Sequence, residues 1–153
     1  MPVMSAAGIT LPILMATATD GKYWLKAVPN ASDIYYPVPA SVYGDDPSTR
    51  VNQFVKSYTK LVGSPPVNTY ALFGAAIMDL WKKAVIQAGT TDAKAVHAKL
   101  DTFRNVPTIV GATTYTSTSH IALNRPMEIL QIQHGKISYL ETWRVRKSPG
   151  LKG

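Results

Sequence analysis

The sequence predicts an α/β chain, and three observations carry that prediction. Ile9–Met15 and Ser32–Val38 are short apolar segments bounded by turn residues and prolines, as strands are. Residues 47–103 carry apolar positions at helical spacing three times in succession. Met127–Gln133 and Ile137–Trp143 then flank His134-Gly135, a dipeptide suited to a tight hairpin turn. A length of 153 residues suits one domain able to bury roughly two thirds of its unfolded surface. An apolar share of 46% with 16% charged residues excludes a disordered chain.

Taken in order, Met1–Ala18 has the apolar look of an export signal. No Lys or Arg precedes Lys22, however, and Pro12 divides a run already too short to span a bilayer. The expectation is a helix end at Met4 to Ala7, a turn at Gly8, and a buried strand over Ile9–Met15 with Pro12 marking an edge or a strand start. Ala16–Gly21 follows as a loop of small polar residues at a strand end, where ligands sit in open α/β sheets. Tyr23, Trp24, Leu25 and Val28 predict a short helix. Ser32–Val38 is a strand stopped by Pro37 and Pro39, and the residues to Asp45 form a connection. Asp46 caps a helix that starts at Pro47 and buries Val51, Phe54, Val55, Tyr58, Leu61 and Val62. Gly63-Ser64-Pro65-Pro66 turns the chain into the strongest helix of the sequence, capped by Asn68 and stopped at Gly89. Tyr70, Phe73, Ile77, Leu80, Trp81, Ala84, Val85 and Ala88 mark its core face. A third helix, capped by Thr91 or Asp92, carries Val96 and Leu100. Thr108–Thr116 is rich in Thr, Val, Ile and Tyr and predicts a strand weakened by Gly111.

Several of these pieces together resemble the substrate-binding proteins of branched-chain amino acid type ABC transporters, the periplasmic-binding-protein-like I family. They are the basic helix, the Gly-Ser-Pro-Pro break, the Ala-rich helix closed by Ala88-Gly89-Thr90-Thr91-Asp92, and Leu11-Pro12-Ile13-Leu14 followed by Thr19-Asp20-Gly21. Asp33-Ile34-Tyr35-Tyr36 and the run Thr118–Lys136 agree in order and spacing. The resemblance covers residues 5–143. It implies two Rossmann-like lobes joined by three crossings, of which this chain corresponds only to the carboxyl-terminal portion of both. Residues 1–38 and 113–143 then belong to the second lobe, 39–112 to the first, and 144–153 form a basic tail. Tyr36, Pro37, Thr114 and Tyr115 fall in two hinge strands.

The resemblance also implies a function: capture of a small organic solute, an amino acid or similar, by hinge closure, and its presentation to a membrane permease from the periplasm or the cell exterior. Thr19, Asp20, Gly21 and Tyr23 are the implied ligand-binding residues, with Asp20 meeting the ligand ammonium by a charge-assisted hydrogen bond. The donors for the ligand carboxylate come, in the family, from an early part of the first lobe that has no counterpart here. Self-association, or complementation by an amino-terminal half, is expected of such a chain. An ordinary Asp-Gly turn is the alternative reading of Asp20, and core packing that of Tyr23 and Trp24. The alternative function is a ligand-sensing domain of a receptor or regulator built on the same fold.

The rest of the sequence excludes more than it suggests. Net charge is +7, but Arg144, Arg146, Lys147 and Lys152 all follow the last acidic residue, Glu141, so the body of the chain is only mildly basic and no nucleic-acid stripe is expected. Without cysteine there is neither a disulfide framework nor a thiolate metal site. No glycine-rich dinucleotide or phosphate loop, serine elbow or zinc-protease helix is present, so no enzyme, catalytic residue or cofactor is expected. His97, His120 and His134 lie apart in sequence, which gives surface or hinge roles rather than a metal site.

Overall fold

The structure, a computed structural model, describes residues 7–8, 10–121 and 125–144. The helix end expected at Met4 to Ala7, save Ala7 itself, and the tail after Arg144 lie outside these residues. By internal contacts the chain divides into two compact units, residues up to Thr69 with Met127–Trp143, and Tyr70–Pro126.

The first unit is built on a four-stranded sheet in the order β1 (Ile13–Leu14), β2 (Ile34–Val38), β5 (Met127–Gln133), β6 (Lys136–Trp143). β1 runs parallel to β2, and the other pairs are antiparallel. On one face of β2, Ile34, Tyr36 and Val38 are buried, and Leu130 and Ile132 of β5 meet them with Leu25 and Ala31 in a single core. β5 alternates strictly between buried and half-buried positions. The alternation is obscured in sequence because Glu128 occupies one buried position, where its carboxylate accepts from the Thr142 hydroxyl at 2.5 Å.

Local chemistry explains where the strands differ from expectation. Pro12 does mark an edge, but β1 is only two residues long, with Leu14 80% exposed, so the expected buried strand is a short rim. β2 runs through Pro37 rather than stopping there. Pairing with β1 ends at Tyr35, so the missing N–H of Pro37 interrupts no ladder, and its carbonyl accepts from the Thr17 hydroxyl at 2.8 Å. The helix expected near Tyr23 is a single 3-10 turn at Leu25–Ala27 that drops Leu25 into the core. At the β5–β6 turn, His134 and Gly135 have φ of 50° and 72°. A Cβ on Gly135 would stand 2.0 Å from the Pro29 carbonyl oxygen, so this glycine is required by both backbone and space.

Helix α1 (Thr49–Val62) belongs to the first unit by contact. Val51 and Val55 are buried, whereas Leu61 is 87% exposed. Asp46 caps no helix end. Its carboxylate accepts from the N–H groups of Ser41 at 2.6 Å and Ser48 at 2.8 Å, fixing the preceding loop, and burial raises its pKa against those two bonds.

The second unit holds α2 (Tyr70–Ala88), α3 (Ala93–Leu100) and a two-stranded ribbon, β3 (Val106–Thr108) with β4 (Gly111–Thr113). The strand expected over Thr108–Thr116 is this ribbon's second half, and Gly111, at φ 104°, serves the turn. α2 ends at Gly89, φ 67°, and the Asp92 side chain caps α3 through the Ala95 N–H at 3.0 Å, both as expected. The buried stripe of α2 is Leu72, Ala76, Leu80 and Ala84, an unbroken four-residue spacing. Tyr70, Ile77 and Trp81, expected in the core, lie beside that stripe and are exposed. Leu80 and Ala84 pack with Val96 and Phe103.

Candidate functional site

The loop after β1 is short, and its residues are held chiefly by their own backbone. Ala16–Thr19 closes a 3-10 turn in which the Thr19 N–H and hydroxyl both donate to the Ala16 carbonyl, at 3.0 and 2.7 Å. The Trp24 indole N–H then donates to the Thr19 carbonyl at 2.9 Å. Because β1 and β2 are parallel, this turn and the residues after β2 emerge at the same end of the sheet. Asp20 is placed among them.

Asp20 is only 1% exposed. Its Oδ1 accepts from the Tyr43 hydroxyl at 2.6 Å and the Tyr36 hydroxyl at 3.2 Å, and its Oδ2 from the Thr69 N–H at 2.7 Å. A carboxylate offers about four lone-pair directions, so these three donors leave one open among the described residues. Burying an uncompensated carboxylate would be expensive, and these donors are what make the burial tolerable. Desolvation, then the neighbouring Asp20, pushes the Tyr36 phenol far above its ordinary pKa. Desolvation with the hydrogen bond to Asp20 does the same at Tyr43. Both phenols therefore remain donors over the whole physiological range.

Around this centre, Lys22 places its ammonium 5.2 Å from the Tyr43 ring centroid. Gly21 is buried with φ 132°, and a Cβ there would meet the Tyr23 ring at 2.7 Å. Tyr23 covers Gly21 while remaining 63% exposed. Thr69 is fully buried and donates its hydroxyl to the Ala40 carbonyl at 3.0 Å.

The structure thus brings Thr19, Asp20, Gly21 and Tyr23 together with Tyr36. Pro37 lies one residue further along β2. Thr114 and Tyr115 belong to the other unit, after β4, where the Thr114 hydroxyl accepts from the Asn105 N–H at 2.9 Å and the Tyr115 N–H donates to the Phe103 carbonyl at 2.9 Å. The chain passes between units at 69/70 and 126/127. Tyr43 and Thr69 are the participants that sequence reasoning missed. They lie 23 and 49 positions from Asp20, in segments read only as a connection or a cap.

The site is a loop closed over a buried carboxylate at the carboxyl ends of parallel strands. The chain belongs to the periplasmic binding protein family, whose model matches residues 1–136. This is a family of binding proteins, not enzymes. Among solved structures it is similar to the branched-chain amino acid transporter substrate-binding protein LivJ of Streptococcus pneumoniae in complex with isoleucine, with 18% identity and a TM-score of 0.74 over 95% of this chain and 39% of that one. It is similar too to the leucine-binding protein LivK of Thermotoga maritima, with 13% identity and a TM-score of 0.70 over 90% of this chain and 39% of that one. A branched-chain amino acid ABC transporter protein of Thermus thermophilus with bound valine gives 13% identity and a TM-score of 0.65 over 94% and 42%. Identities this low show the shared fold. The chain spans about two fifths of the length of these structures. No curated protein matches it by sequence.

Proposed function

We propose that this chain is part of the solute-binding component of an ABC-type importer, one that captures an aliphatic amino acid or a similar small solute in the periplasm or outside the cell and presents it to a membrane permease. The observation that carries this reading is the seating of Asp20 in a chain of this family: a buried negative charge where parallel strands end, beneath a loop of small polar residues. The isoleucine and valine held by two structures of the same fold support the solute class.

In this reading Thr19, Gly21 and Tyr23 face the solute. Asp20 acts from beneath them, giving its remaining lone pair and its charge to the ammonium while Tyr36, Tyr43 and Thr69 hold it in place. Closure of two lobes about hinge strands would occur in the complete protein, with Tyr36, Pro37, Thr114 and Tyr115 assigned to those strands. Binding energy then shifts an open–closed equilibrium.

A thermal-shift panel on the longest product of the gene tests the reading. Leucine, isoleucine or valine raises the melting temperature by mass action, whereas glutamate, lysine and sugars do not. A panel in which no amino acid shifts the transition, or in which only a sugar does, overturns the proposal.

A further inference from the structure

We propose that His97, Asp101 and His120 form a binding site for a divalent late transition-metal ion such as zinc. His97 is in α3 and Asp101 caps its carboxyl end, one helical turn apart and so on one face. His120 comes from beyond β4, where Thr116 and Ser119 pair in a tight turn, Thr116 N–H to Ser119 carbonyl at 2.9 Å. His120 Nε2 lies 2.6 Å from Asp101 Oδ1, and His97 Nδ1 lies 3.6 Å from Asp101 Oδ2. One ligand atom from each residue lies within 4.8 Å of the other two. Tetrahedral zinc with bonds of about 2.0–2.1 Å keeps its ligand atoms about 3.3 Å apart, a spacing that small side-chain rotations reach from ligand atoms already within 4.8 Å of one another.

Among the described residues, only the two imidazoles contact the Asp101 carboxylate. Arg104, the nearby cation, donates not to the Asp101 carboxylate but to the carbonyls of Asp101 at 2.8 Å, Phe103 at 2.9 Å and Tyr115. It ties the backbone around the site and leaves both carboxylate oxygens to the imidazoles. The His97 and His120 rings meet edge to face at 5.6 Å, and Tyr115 braces His120 at 5.7 Å. With the two histidine side chains 65% and 49% exposed, an ion can enter from solvent and keep water in its open positions.

Two imidazoles with one carboxylate suit zinc, copper or nickel, whereas calcium and magnesium take oxygen ligands throughout. In the metal-free chain the His120–Asp101 contact is a hydrogen bond. Binding would replace its proton with the ion and staple the Thr116–His120 segment to the end of α3.

The test is calorimetric titration of zinc chloride into the whole chain in a non-chelating buffer, with the imidazole NMR signals followed in parallel. One ion should bind per chain, and the signals of His97 and His120 should shift together while that of His134 stays still. His97→Ala and His120→Ala should each weaken binding by at least about tenfold, a loss that even an outer-shell partner can cause. His134→Gln should leave it unchanged, and circular dichroism confirms that each variant is folded. Absence of saturable binding, binding that survives His120→Ala, or binding lost in His134→Gln overturns the proposal.

Discussion

Replacing Asp20 with alanine removes the acceptor for three donors at once: the Tyr36 and Tyr43 hydroxyls and the Thr69 N–H. A buried donor left unsatisfied costs about 1–3 kcal/mol. Tyr36 and Thr69 are all but inaccessible, at 1% and 0%, so they bear the full penalty. The Tyr43 hydroxyl, on a half-buried residue, recovers part of its bond from water. The two full penalties alone come to about 2–6 kcal/mol, a large fraction of the 5–15 kcal/mol that holds a typical domain folded. Asp20→Asn should cost less, about 1–3 kcal/mol, because the amide still offers one acceptor but turns a donor toward one of the three donors. Tyr43→Phe removes one hydrogen bond to a charged group, worth about 1.5–3 kcal/mol. Urea unfolding reads all three as shifts of the midpoint at constant slope. If Asp20→Ala unfolds within about 0.5 kcal/mol of the unaltered chain, the range of an ordinary surface substitution, the carboxylate does not hold this loop together.

Three further outcomes follow from the same geometry. Tyr36 and Tyr43 have folded-state pKa values raised above that of the unfolded chain, so their contribution is intact below the unfolded value of about 10 and is lost as pH rises beyond it. Stability should fall above that pH by up to about 1.4 kcal/mol per unit for each phenol, and Tyr43→Phe should flatten the slope in urea titrations across the alkaline range. Gly135→Ala should cost more than about 2 kcal/mol, since a left-handed backbone penalty of about 1–2 kcal/mol is joined by collision with the Pro29 carbonyl; a melting temperature within a degree or so of the unaltered chain would refute this. Tyr70, Ile77 and Trp81 leave an apolar strip exposed along α2, so the chain should self-associate with rising concentration. Sedimentation should show that association reduced in Ile77→Lys, and identical profiles would remove the strip from the contact.

Much of the fold was legible because local chemistry decides it. Gly89 and Gly63 stop their helices with left-handed backbones, Asp92 caps α3, and His134-Gly135 makes the hairpin turn, each through groups within a few residues of one another. What was not legible depends on distant neighbours. The spacing on α2 admits two adjacent apolar stripes, and only packing against Val96 and Phe103 decides that Leu80 and Ala84 are inside and Trp81 is not. Pro37 was read as a strand terminator because the sequence does not show that β1 has already ended beside it. Asp20 stood out by its place at a strand end, yet its partners Tyr43 and Thr69 are supplied by the fold. His97 and His120 likewise meet only because the ribbon returns the chain to the end of α3.

The most direct test of the solute-binding account is a titration of L-isoleucine into the isotopically labelled chain, read at the backbone amides of residues 19–23. The chain spans 39% of the LivJ structure. Losing three hydrogen bonds of roughly 1.5–3 kcal/mol each to an opposite wall of the cleft turns a micromolar site into one weaker than about 1 mM. Weak but saturable shifts, centred on Thr19, Gly21 and Tyr23, larger for L- than for D-isoleucine and abolished in Asp20→Asn, are the predicted result. Shifts that are absent up to the solubility limit, indifferent to chirality, or centred elsewhere in the chain would contradict it.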